Sequence, residues 1–226
     1  MLHSQVVIIA IDGPSGVGKG TVAREVAARL GLRHIDTGAM YRAVAWRAEQ
    51  LGLSLDDEAQ VAPLAASAVI DIDGSRVTID GLDASQAIRT PEIDRATTRV
   101  ARLPLVRAQL VARQRAMAAQ GGLVMEGRDI GTVVFPAADV KIYLDASPEE
   151  RARRRAGDPA HASSQTQALA DIAQAMPRRD DNDRTRQASP LSIAPDATLI
   201  DTTTMPIGQV VDRVMAIVEE HAVRPR

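Results

Sequence analysis

Of the 27 basic residues only two, Lys19 and Lys141, are lysines, and Lys19 lies in the string Gly13, Pro14, Ser15, Gly16, Val17, Gly18, Lys19, Gly20, Thr21. Glycines at 13, 16 and 18 let the backbone turn tightly and aim its N–H groups inward, while a compact ammonium at the end of the loop reaches β- and γ-phosphates. A phosphate cradle follows from this pattern. The strict nucleotide-loop pattern places Ser or Thr directly after the lysine; here Gly20 intervenes, which puts Thr21 in doubt as a direct Mg²⁺ ligand. The arginines cluster at residues 95–115, 151–155 and 178–186, the composition of a localised anion site.

Composition excludes several other chemistries. The chain has no Cys, so disulfides and thiolate metal sites are ruled out, and its four histidines (His3, His34, His161, His221) lie too far apart for a local ligand motif. A metal is expected only with a nucleotide. A net charge of −2, with one Trp, two Tyr and one Phe, argues against nucleic-acid binding. Neither a basic leader nor a long apolar span is present at the N-terminus, so no membrane association and a cytoplasmic location are expected.

The elements that must position these groups are legible from the pattern. Residues 6–11 are continuously apolar, as in a strand covered on both faces, and from Lys19 or Gly20 the spacing of Val22, Val26 and Leu30 is helical, so the loop ends on the positive end of a helix. Further parallel strands are expected at 33–36, 123–125, 140–144 and 197–201. Residues 69–72 and 76–79 alternate with period two around a turn at 73–75, an antiparallel hairpin to which 82–84 adds a third short strand. Ser147-Pro148-Glu149-Glu150 is a capping box opening the helix that carries Arg151, Arg153, Arg154 and Arg155; it breaks at Gly157. The small polar residues through Gln165 read as a mobile lid, and helix resumes over 168–176. If the helix extends onward, Arg179, Asp183 and Arg186 share a face at i, i+4 and i+7, although such a charge run is ordinarily solvated.

Four strings together resemble the bacterial cytidylate kinases, within the nucleoside monophosphate kinases: the loop at 13–21, Asp36-Thr37-Gly38 with Tyr41-Arg42, Gly127-Arg128-Asp129, and the Arg/Asp string at 179–186. The resemblance covers nearly the whole chain. It implies an α/β P-loop kinase, a single domain over 1–226 with a central five-stranded parallel sheet flanked by helices. Its core would span about 1–36, 104–150 and 188–226, its monophosphate-binding part about 37–103 with a small antiparallel β insert at 68–85, and its lid about 151–187.

The resemblance also implies ATP-dependent phosphorylation of CMP and dCMP, with ATP and Mg²⁺ as cofactors and a monomer as the working unit. ATP phosphates fall to residues 13–21. The cations around the transferred group are Lys19, Arg128, Arg154 and Arg186. The CMP phosphate falls to Arg42, Arg128 and Arg186, the sugar to Arg179 and Asp183, and the base to Thr98, Arg107 and Asp129, with Asp36 and Thr37 also on CMP. Cytosine offers an amino donor beside acceptors, which an Asp and an Arg complement. Three other readings stay open at this point: a P-loop kinase for UMP or another small acceptor, a regulatory NTPase, and a non-catalytic nucleotide-binding module. An NTPase needs a guanine-reading N-K-x-D, which is absent, or an acid ending a strand beside the loop, for which Asp145 is the candidate.

Overall fold

The computed structural model describes residues 7–158 and 169–223. The chain opens with β1 (Ile8–Asp12), the phosphate loop and α1 (Lys19–Leu30), which closes on Gly31 at φ 64°, a left-handed cap that glycine adopts without strain. Next come β2 (Arg33–Asp36) and α2 (Thr37–Gln50). The sequence suggests a turn between them, but Asp36 ends the strand and caps the helix at once, its Oδ1 accepting from the Ala39 N–H at 3.0 Å. α3 (Glu58–Ser67) has no counterpart in the sequence reading: it is Ala-rich, and Pro63 inside it reads as a break.

The hairpin expected from the alternating pattern is present as β3 (Ile70–Asp73), β4 (Arg76–Ile79) and β5 (Leu82–Asp83), with Ile70 opposite Ile79 and Ile72 opposite Val77. Asp80 and Gly81, both at positive φ (52° and 77°), make the second tight turn. α4 (Pro91–Val100) and α5 (Pro104–Met117) each place proline in the first turn. β6 (Leu123–Gly127) runs two residues beyond the expected end at Met125, so Glu126 belongs to the strand, and residues Ile130–Val134 form one wide turn after it. β7 (Val140–Asp145) leads to α6 (Pro148–Ala156), capped by Ser147 Oγ on the Glu150 N–H at 3.2 Å. α7 (Leu169–Thr185) continues through Pro177, so the charged string after Met176 is helical. β8 (Thr198–Asp201) and α8 (Ile207–Val223) complete the chain. Residues 159–165 of the stretch read as a lid lie outside the described residues.

The five parallel strands lie in the order β2, β6, β1, β7, β8, which puts the loop-bearing strand at the centre. Ile9, Ile11, Val124, Ile142 and Leu144 face α1 and α8, through Val22, Val26, Val210 and Val214. Alternate residues, Ala10, Leu123 and Met125, pack on the other face with Ile35, Val111 and Ile130. A separate apolar cluster joins α2, α3, α4 and α5. The carboxyl ends of β1, β6 and β7 therefore open at one edge, where ligands bind in open α/β sheets. Among the described residues no helix is long and apolar enough to cross a membrane.

Candidate active site

The phosphate loop is pressed against its neighbours. Gly13 sits at φ 149°, where a Cβ would come within 2.2 Å of the Leu144 carbonyl oxygen, and Gly18, at φ 93°, caps α1. Neither position tolerates a side chain. Lys19 follows at once and is buried, its Nζ donating to the Pro14 carbonyl at 2.7 Å. Burial lowers the Lys19 ammonium to about 7, with the Arg128 charge adding to the effect and Glu126, Asp12 and Asp180 opposing it. An ammonium so poorly solvated gains most when an anion arrives. Arg154 reaches the same loop from α6, donating through Nη1 to Val17 O at 3.3 Å and to Thr202 Oγ1 at 2.9 Å, and through Nε to Glu150 at 2.7 Å.

Across the cleft, Arg42 donates to the Asp36 carboxylate at 2.8 Å. Burial opposes ionisation of Asp36, but the Arg42 charge and the Ala39 N–H outweigh it and hold the carboxyl below its usual range. Thr37 Oγ1 donates to Glu126 O at 2.7 Å, tying the start of α2 to β6. Arg107 Nη2 and Asp129 Oδ2 meet at 2.5 Å beside the Tyr41 ring. Asp183 on α7 accepts from Arg128 at 3.0 Å and from Arg186 at 3.3 Å; burial is again outweighed, by Arg128, Arg179 and Arg186, and the acid stays ionised. Arg186 also lies 3.7 Å from Asp129 and donates to Ser189 O at 2.7 Å, while Arg179 pairs with Asp94 at 3.1 Å.

A cleft of about 650 Å³ brings most of the residues singled out from the sequence together: the loop from Ser15 to Thr21, Asp36, Thr37, Arg42, Arg107, Arg128, Asp129, Arg154, Arg179, Asp183 and Arg186. Gly13 and Pro14, at the buried start of the loop, do not line it. Thr98 is also outside it. Its hydroxyl donates back to Asp94 O at 3.0 Å and it faces an adjoining cavity of about 450 Å³, whereas Thr97, one residue earlier on α4, lines the cleft. Neighbours on a helix point about 100° apart, so the spacing of a single threonine decides which cavity it serves.

Three acidic residues were missed from the sequence. Asp12, at the end of β1, accepts from the Ile130 and Gly131 N–H groups at 2.8 and 2.7 Å, and burial raises its carboxyl to about 6 against those two bonds. Asp180 reaches the loop from α7, accepting from the Ser15 N–H at 3.2 Å. Glu126 lines the cleft beside Gly20, where a Cβ would lie 3.1 Å from its Oε1, and pairs with His34 at 3.0 Å. An acid directly after the apolar run of the strand beside the loop strand is the available signal for Glu126, obscured because the apolar pattern stops at Met125 while the strand continues to Gly127. Asp145, the candidate raised from sequence, instead caps the Ala146 N–H at 2.9 Å and does not line the cleft. No group of three or more His, Asp or Glu among the described residues is arranged to hold a metal. Thr21 and Glu126 are oxygen donors suited to Mg²⁺ carried mainly by phosphates and water.

A cytidylate kinase from Desulfitobacterium hafniense is 48% identical over 212 residues, covering 92% of this chain and 91% of the relative. One from Pelotomaculum thermopropionicum is 50% identical over 216 residues, covering 92% and 94%. Among solved structures, an uncharacterised protein from Eubacterium ventriosum shares the fold with a TM-score of 0.52 at 12% identity, covering 96% of this chain and 99% of that one. The family model for cytidylate kinase matches residues 9–220, and with relatives this similar over nearly their whole length the chain belongs to the cytidylate kinase family.

Proposed function

We propose that the protein transfers the γ-phosphoryl group of ATP directly to the phosphate of CMP and dCMP. The observation that carries this reading is the convergence on one cleft of the Lys19 loop, the arginines Arg42, Arg128 and Arg186, and the buried Arg107–Asp129 pair. An acceptor phosphate has its second pKa near ~6 and is already nucleophilic at neutral pH, so no general base is needed. What the reaction needs is in-line placement and positive charge.

Lys19 and the loop N–H groups hold the donor phosphates. Glu126 and Thr21, which line the cleft, would be the protein oxygens available to Mg²⁺ arriving with ATP, and the ion would supply further positive charge to the donor phosphates. Arg42, Arg128 and Arg186 take the acceptor phosphate; Arg179 and Asp183 take the sugar. Asp129 accepts from the cytosine amino group and Arg107 donates to the base. Thr98 has no place in this scheme, since its hydroxyl is spent on its own helix. Residues 37–103 act as the monophosphate-binding part and 151–187 as the closing part, with α6 already bound to the loop through Arg154. A coupled assay of ADP release with CMP, dCMP, UMP and AMP in turn tests the reading; CMP-independent ATP consumption would favour an NTPase.

A further inference from the structure

Asp180 is only 1% exposed and does not line the cleft, so nothing in the transfer step uses it. Its carboxylate nevertheless reaches the phosphate loop. Oδ1 accepts from the Ser15 N–H at 3.2 Å, and Oδ2 accepts from the Arg151 guanidinium. Arg151 Nη1 in turn donates to the Ser15 carbonyl at 3.2 Å, so a buried ion pair holds both backbone groups of one loop residue. The two helices behind this pair also touch the loop backbone. A Cβ on Gly16 would lie 2.8 Å from Arg151 O and 2.7 Å from Met176 Cε.

Burying a carboxylate and a guanidinium is costly, and apolar residues of similar volume would pack about as well. What the pair adds is direction. Asp180 lies beside Arg179 and three residues before Asp183 on α7, so the helix that carries acceptor-side groups is fastened to the donor loop at Ser15. We propose that Asp180 is a positioning residue for the donor loop: with Arg151 it fixes the Ser15 peptide so that the loop N–H groups are aimed before ATP arrives. This rests on the kinase reading above. Because Ser15 needs an acceptor rather than a charge, asparagine serves at position 180 once Arg151 is also made neutral, and alanine does not.

The test is calorimetric titration of the full chain with a non-hydrolysable ATP analogue and Mg²⁺, and separately with CMP. Asp180→Ala should weaken the analogue about tenfold, as expected for a lost pre-aimed hydrogen bond to a charged acceptor. Affinity for CMP should change less than about twofold, since Arg179 and Asp183 keep their own partners, Asp94 and Arg128. Asp180→Asn combined with Arg151→Gln, which keeps an amide oxygen for Ser15 and removes both buried charges, should return the analogue to within about threefold of wild type. Equal losses for both ligands, equal losses in the two variants, or an unchanged analogue affinity in folded Asp180→Ala would overturn the proposal. If Asp180→Ala does not fold, the double variant Asp180→Ala/Arg151→Ala, which leaves no unpaired buried charge, carries the same expectation. Wild-type protein that binds the analogue but does not phosphorylate CMP would overturn the kinase reading alone.

Discussion

Arg107 and Asp129 are joined Nη2 to Oδ2 at 2.5 Å with 3% and 8% of their side chains exposed, and the guanidinium lies 5.1 Å from the centre of the Tyr41 ring. The pair is thus formed before any ligand enters. Its orientation is set by α5 and by the turn after β6, which Asp12 holds through two backbone N–H groups. A base entering this end of the cleft meets a fixed acceptor and a fixed donor rather than side chains it must order.

A carboxylate opposite the 4-position accepts from cytosine's amino group and opposes uracil's carbonyl, and unpaired buried polar groups cost about 1 to 3 kcal/mol. CMP should therefore exceed UMP by at least about tenfold in kcat/KM. Asp129→Asn adds an amide donor and should lower that ratio, mainly by loss of CMP activity, with ATP binding little changed. An unaltered ratio in the variant removes Asp129 from base reading.

Lys19→Met should leave a folded protein whose transfer rate falls by a factor on the order of 10³ or more, because developing charge loses its nearest cation. A folded variant retaining a tenth of the wild-type rate would remove Lys19 from this role.

The same residue sets a pH signature. In the free protein burial lowers the Lys19 ammonium from 10.5 to about 7, so between those values the unfolded chain binds the proton more tightly and stability rises with pH; the penalty is full below about 7. Burial raises Asp12 from 3.8 to about 6, so there the folded chain binds the proton more tightly and stability falls as pH climbs through that window. Together these two groups place a stability minimum between about 6 and 7. Thermal melts of wild type and Lys19→Met should converge in favour of wild type as pH rises above 7, and ATP binding at pH 8 should take up a proton that buffers of different ionisation enthalpy reveal. No proton uptake would contradict the assignment.

From the sequence, Arg186 is expected on the CMP phosphate with its loss lowering turnover but barely affecting stability, as for a surface charge. The structure places it 7% exposed, bonded to Ser189 O and Asp183 and near Asp129, because the C-terminal end of α7 meets the Arg128-Asp129 turn that follows β6. Arg186→Ala should therefore cost about 1 to 3 kcal/mol in stability as well as turnover, by leaving buried acceptors unpaired. Chemical denaturation measures the first and steady-state kinetics the second. A stable Arg186→Ala variant with unchanged KM for CMP would remove it from the acceptor site.

Glu126→Gln should raise the Mg²⁺ concentration for half-maximal rate several-fold, the cost of one lost carboxylate near a hard cation. CMP affinity should be unaffected. A Mg²⁺ response identical to wild type would assign Glu126 to its pairing with His34 alone.

The local sequence carried what short range determines. The apolar run at 8–11, the glycines at positive φ and the helix starting at Lys19 follow from residue types in order, as do the Ser147 cap and the Asp80-Gly81 turn. Each depends on neighbours within a few positions. The central strands β1, β6 and β7 were legible too, because both faces are covered and the strands read as apolar runs. α3 was not, since alanine and an internal proline carry little periodicity and the helix is held by packing on α5 and α2.

What only the tertiary structure decided is which charges face one another. Glu126 becomes a cleft acid and Asp12 a buried clamp on the turn after β6 because β6 is laid beside β1 in register, with Ile11 opposite Glu126 and Asp12 opposite Gly127. Arg128 meets Asp183 across 55 positions of chain, and Ser15 meets Asp180 across 165. An arginine string of the same composition is a solvated face or an anion site according to whether burial removes water from it, and burial is a property of the assembled sheet and helices rather than of the string.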